Sequence, residues 1–290
     1  MRIEDVRTVC VVGAGTMGSQ IAHQVALGGY PVSIFSRSQE RLDTSVPATA
    51  KILAKRVEKG KLSQEDFDAT VGRVTATTDL EQAAGGADLV IKTIAEERDA
   101  KHAMFSQLAK IARDDAILAS NSSTMPTSFF AEVVPNPSRL LNVHFFNPAL
   151  VMQLVEVVRG PHTGDETIET AMEFARKIGK TPVLVRKESY GFIANRILFI
   201  AMQEAFKLVE AGVVSKEDCD LAVKNGLNWP MGPFELGDLV GLDVTQDILS
   251  QGHVQTHEER WKPTPILNRL VEAGKLGRKS GAGFYEYGKA

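Results

Sequence analysis

Apolar and polar positions change period twice within the first forty residues. Val9–Val12 is a continuous apolar run that stops at glycines, and over about Thr16–Leu27 the apolar positions then recur at helical spacing. Gly28 and Gly29 end that stretch, and Val32–Phe35 forms a second apolar run. The order predicts a β-α-β unit. Runs at Ala87–Ile94 and Ala116–Ala119, each approached by a helical stretch, predict later parallel strands, hence a Rossmann-type doubly wound sheet.

Residues 44–70 break this rhythm. They are long, charged and helix-favouring, with Gly60 dividing them into a helical hairpin that a simple crossover does not need. Lys51, Lys55 and Arg56 on it make either a solvated face or a basic rim for an anionic ligand. Val143–Phe146 and Gln153–Val158 read as antiparallel strands joined through Asn147-Pro148. A helix over about Thr167–Gly179 and a short strand at Pro182–Val185 follow, and from Gly191 helix succeeds helix. One of these opens on Ser215 with Asp218 at capping-box spacing. The change of character places a domain boundary near Arg186–Tyr190: an α/β domain over 1–186, then a smaller all-α domain over 187–290 in which a homodimer contact is expected.

Composition narrows the function classes. With 24% charged residues and a net charge of −3, the chain lacks the electrostatic footprint of a protein that binds nucleic acid or an anionic membrane. No stretch approaches the length of a transmembrane helix, and the first residues enter a strand without a signal-peptide core. Cys10 and Cys219 have no metal-type spacing, which predicts two reduced, packed thiols and no metal site. The expectation is a soluble cytoplasmic protein.

Gly13-Ala14-Gly15-Thr16-Met17-Gly18 fits the G-x-G-x-x-G pattern between a predicted strand and a predicted helix. Gly13 suits the tight turn, Gly15 lets a pyrophosphate reach the backbone, and Gly18 allows close helix–strand packing. A dinucleotide site usually carries an acid at the end of the second strand for the ribose 2′-hydroxyl. Here Ser36-Arg37-Ser38 stand in its place, a guanidinium and two hydroxyls that suit a 2′-phosphate, so NADP is favoured with NAD possible. The alternative is a solvated Arg37 and a site indifferent to the phosphate.

His144 and Glu156 interrupt apolar strands, where an unpartnered carboxylate would cost several kcal/mol. A hairpin centred on Leu150 sets residue i opposite residue 300 − i, which puts His144 opposite Glu156 with β-carbons about 5 Å apart. Such a pair fixes the imidazole tautomer and leaves the other nitrogen to exchange a proton with an alcohol or carbonyl beside a nicotinamide. A core pair that satisfies only itself is the alternative.

GAGTMGSQIA, then ASNSSTMP at 119–126, HFFNPALVMQLVEVV at 144–158, YGFIANRIL at 190–198, WPMGPFELGDLVGLD at 229–243 and GRKSGAGFYEY at 277–287 together resemble the L-3-hydroxyacyl-CoA dehydrogenase family, including its 3-hydroxybutyryl-CoA dehydrogenases. The resemblance covers nearly the whole chain. It implies His144 as general acid/base, Glu156 as its orienting carboxylate, and Ser123 and Asn195 as groups that bind substrate at the reacting oxygen. It also implies Glu96, Lys101, Asn121, Asn147 and Lys279 as cofactor contacts, with Thr16 and Met17 in the glycine turn. Lys51, Lys55 and Arg56 fall on the family's helical tail that contacts coenzyme A, which makes an acyl-CoA the implied substrate. Three departures stand out: Lys92 where the family commonly has Glu, Ser36 in place of the usual acid, and Tyr190 where Pro precedes Gly-Phe. The first two bear on cofactor choice and the third on the hinge between domains. A relative acting on a non-CoA hydroxy acid or carnitine-like alcohol, and a crystallin-like binding protein, are the competing readings.

Overall fold

Four consecutive buried residues, Val9–Val12, make β1, the strand on which an eight-stranded sheet is built. The structure, a computed structural model, describes residues 1–95 and 97–288, and its chain forms two compact units, Met1–Ser189 and a second beginning at Tyr190. After β1 come α1 (Thr16–Leu27), β2 (Val32–Phe35), α2 (Gln39–Glu58), α3 (Gln64–Gly72), β3 (Val74–Thr77), α4 (Leu80–Ala84), β4 (Leu89–Lys92), α5 (Arg98–Ile111) and β5 (Ile117–Ser120). Then follow β6 (Leu140–Phe145), β7 (Leu154–Val158), α6 (Asp165–Lys177) and β8 (Thr181–Val185). The strand order is β3-β2-β1-β4-β5-β6-β7-β8, parallel throughout except where β6 meets β7.

Alternation along the strands divides the core into two layers. Val11, Ile34 and Ile91 face α1 and α6, packing with Ile21, Val25 and Phe174. Cys10, Val12 and Val90 face the other way, toward Phe105 and Leu108 of α5 and toward Phe130. The expected β-α-β unit and hairpin are present, and Gly60, at φ +64°, lies between α2 and α3. Two elements differ from expectation. α2 begins at Gln39, because the Ser38 side chain accepts the Arg41 N–H and caps it. β3 was not predicted, since VTAT is a partly exposed edge strand without an apolar run.

The second unit contains α7 (Ala194–Glu210), α8 (Lys216–Gly226), α9 (Pro233–Val240), α10 (Leu242–Thr256) and α11 (Pro265–Glu272). Phe206, Phe234 and Phe284 form its aromatic centre, with ring centroids 4.7–5.2 Å apart. Buried Asp220 accepts the Phe234 and Glu235 N–H groups and so caps α9. Tyr190 is buried in this unit, its ring edge-on to Trp261 and its hydroxyl donating to the Ile248 carbonyl at 2.7 Å. Both cysteines are buried and free, and burial pushes the Cys10 thiol up to about 12. Among the described residues no helix is long and apolar enough to cross a membrane.

Candidate active site

Because β1, β4, β5 and β6 run parallel, their carboxyl ends share one edge of the sheet. Ligands of open α/β sheets bind at such an edge. At the end of β1, Gly13 turns the chain at φ +115°, and a Cβ there would lie 2.8 Å from the Thr93 carbonyl oxygen. Thr93 Oγ1 donates to the Gly13 carbonyl at 2.9 Å and pins the turn to the end of β4. A Cβ on Gly18 would lie 1.8 Å from the Gly13 oxygen, so α1 packs against the turn only with glycine there. Gly15 is different: among the described residues nothing lies within 4 Å of the place a Cβ would take. This open approach at the N-cap of α1, beside amides that have no intrahelical acceptor, fits a pyrophosphate. The residues present therefore fit a dinucleotide.

The turn after β5 carries Asn121, Ser122 and the half-buried Ser123. Asn121 Oδ1 accepts the Phe145 N–H at 2.8 Å, which draws this turn to the end of β6. Beneath it, Lys101 of α5 donates to Ser122 Oγ at 2.8 Å, and Ser122 Oγ also accepts the Met125 N–H at 2.9 Å. Lys101 and Lys92 are each only 1% exposed. Burial and then the charge of Lys92 pull the Lys101 amine down to about 6, and burial pulls Lys92 down to about 7. Among the described residues Lys92 Nζ has no hydrogen-bond partner, and it lies 5.2 and 5.7 Å from the ring centres of Phe105 and Phe130. Sequence reasoning missed this pairing, because a lysine at the end of a strand reads as solvent-facing.

His144 and Glu156 are register partners in the β6–β7 pair. His144 Nδ1 is 2.8 Å from Glu156 Oε2, both side chains being buried. An ionised carboxylate only accepts, so Nδ1 carries the hydrogen and proton exchange with a ligand falls to Nε2. The ring of Phe146 lies 4.4 Å from the imidazole centre.

The first unit thus brings the glycine turn, the Asn121–Ser123 turn, Lys101 and the His144–Glu156 pair to one sheet edge. Asn147 is exposed in the link that follows β6. Lys51 and Lys55 are exposed on α2, whereas the guanidinium of Arg56 donates to the Leu150 carbonyl. In the second unit Asn195 occupies the first turn of α7, and Lys279 donates to the Asp243 carboxylate at 2.6 Å. Glu96 lies outside the described residues.

A family model described as "3-hydroxyacyl-CoA dehydrogenase, NAD binding domain" matches residues 8–189, and one described as "3-hydroxyacyl-CoA dehydrogenase, C-terminal domain" matches residues 191–287. A probable 3-hydroxybutyryl-CoA dehydrogenase of Deinococcus radiodurans is 42% identical over 277 residues, covering 96% of this chain and 99% of that protein. Another from Bacillus subtilis is 40% identical, covering 98% of both chains. The crystal structure of (S)-3-hydroxybutyryl-CoA dehydrogenase PaaH1 from Ralstonia eutropha superposes with a TM-score of 0.94 at 35% identity, covering 98% of this chain and all of that one.

These findings correct the expectation of NADP. The matching family model is an NAD-binding domain, and the cofactor is NAD. Ser36 and Ser38 also have structural roles of their own. Ser36 Oγ accepts the Ser38 N–H at 3.2 Å, and Ser38 Oγ accepts the Arg41 N–H at 3.2 Å. Both hydroxyls shape the turn and cap α2, and Arg37 is simply exposed. The absence of an acid is not the presence of a phosphate site.

Proposed function

Since this chain belongs to the 3-hydroxyacyl-CoA dehydrogenase family, we propose that it interconverts short (S)-3-hydroxyacyl-CoA and 3-oxoacyl-CoA thioesters, such as 3-hydroxybutyryl-CoA and acetoacetyl-CoA, with His144 as general acid and base. The observation that carries this reading is the 2.8 Å contact of His144 with Glu156, on the sheet edge shared with the glycine turn. NAD bound at that turn supplies or accepts the hydride.

The backbone of Gly13, Gly15, Thr16, Met17 and Gly18 holds the pyrophosphate, with Gly15 giving closest approach. Asn121, Asn147, Lys101, Glu96 and Lys279 serve the cofactor as the family likeness implies. In oxidation His144 Nε2 takes the hydroxyl proton as the carbinol C–H bond breaks, and the imidazolium is stabilised by the Glu156 carboxylate. In reduction the same nitrogen returns the proton to the developing alkoxide. Ser123 hydrogen-bonds the reacting oxygen, where negative charge grows, and Asn195 serves the substrate as the family likeness implies. Lys51 and Lys55, exposed on α2, offer ammonium groups to coenzyme A phosphates.

His144→Ala is expected to lower kcat for acetoacetyl-CoA reduction by about 10²–10⁴-fold while NADH affinity changes little. Undiminished turnover in that variant overturns the mechanism, and equal turnover of free acetoacetate by the unaltered enzyme overturns the thioester assignment. We also place the enzyme in the cytoplasm, a reading its two free, buried thiols support. The helical unit is read as the homodimer contact, because Ile197, Leu221, Leu227 and Val254 expose apolar side chains there. Sedimentation that finds monomer alone at micromolar concentration removes that assignment.

A further inference from the structure

The link between β6 and β7 is built of turns, yet three separate elements hold its backbone. From α1, Gln20 Oε1 accepts the Leu150 N–H at 3.3 Å. From α2, Arg56 donates to the Leu150 carbonyl. Lys180, just after α6, donates to the Ala149 carbonyl at 2.6 Å and to the Met152 carbonyl at 2.9 Å. Two cations therefore converge on one short turn. Burial, and then the charge of Arg56, pull the Lys180 amine down to about 8.

That arrangement is electrostatically costly, and its geometric result is specific. The turn sets the register in which His144 faces Glu156, and a slip of one residue between the strands would leave the two side chains on opposite faces of the sheet. Arg56 leaves α2 next to Lys55, yet its guanidinium points into the protein while Lys51 and Lys55 remain exposed.

We propose that Arg56 and Lys180 are positioning residues that hold the 149–152 turn, and through it the His144–Glu156 pair, with Arg56 tying that turn to the helix on which coenzyme A docks. This rests on the dehydrogenase reading given above. Arg56 itself is not a phosphate ligand.

The test compares acetoacetyl-CoA with acetoacetyl-N-acetylcysteamine, a thioester without the nucleotide. Arg56→Met is expected to lower kcat by about 10- to 100-fold with both substrates, as a small misplacement of catalytic groups does, and to leave both KM values nearly unchanged. Arg56→Lys should restore most of the rate. The downfield Nδ1–H proton resonance of His144 should shift or broaden in Arg56→Met, in protein whose circular dichroism is unaltered. A rise in KM confined to acetoacetyl-CoA makes Arg56 a phosphate ligand and overturns the proposal, as does an unchanged kcat with an unchanged resonance. Should Arg56→Met fail to fold, Arg56→Gln, which keeps an N–H donor, carries the same comparison. If the unaltered enzyme fails to reduce acetoacetyl-CoA, the function falls, and the His144 resonance still decides the clamp.

Discussion

Lys92 shows what a single side chain does when its surroundings contradict its charge. Its amine is buried between two aromatic rings and beside a second buried lysine. The fold holds its pKa near 7, whereas an unfolded lysine titrates near 10.4. Between those values the unfolded chain binds more protons, so this group's contribution to stability rises with pH across the window and is least favourable below pH 7. Lys101 acts in the same direction, with its window starting near 6. Lys92→Met is therefore expected to stabilise the protein by more than about 1 kcal/mol at pH 6 and by less at pH 9. Urea unfolding at both pH values checks this, and a variant no more stable than the original at pH 6 refutes it. His144 and Glu156 were legible in the sequence, because a strand period of two and a turn centre fix which residues oppose. Lys92 and Arg56 were not, because burial of a long cation depends on elements distant in sequence.

At the scale of elements, the β1–α1 turn separates two uses of glycine that one motif merges. Gly18 is required by packing and Gly15 by the space it leaves open. Gly18→Ala should lower the melting temperature and abolish NADH binding together. Gly15→Ala should melt within a degree or two of the original and bind NADH at least about tenfold more weakly, a loss of about 1.4 kcal/mol. Fluorescence titration with NADH separates them, and normal affinity in Gly15→Ala contradicts the assigned approach of the pyrophosphate. The elements themselves were readable where the apolar period was long, as in α1 and the β6–β7 pair. α2 was read as starting too late because its cap, Ser38, had been assigned to a ligand instead. β3 escaped because an exposed edge strand needs neither an apolar run nor strict alternation.

For the whole molecule, the sequence marks a change from alternating strands and helices to helices alone, and the structure forms two compact units. Each unit has its own core, centred on the sheet in one and on Phe206, Phe234 and Phe284 in the other. Cofactor choice was misread because a missing acid at the end of β2 does not by itself make a site for a 2′-phosphate. The two native thiols have a practical consequence. With Cys10 and Cys219 both buried and their thiolates disfavoured, maleimides should leave the native enzyme unlabelled. A cysteine introduced at exposed Val151 would then be a unique attachment point for a fluorophore, one that reports movement of the catalytic hairpin during turnover without a cysteine-free background.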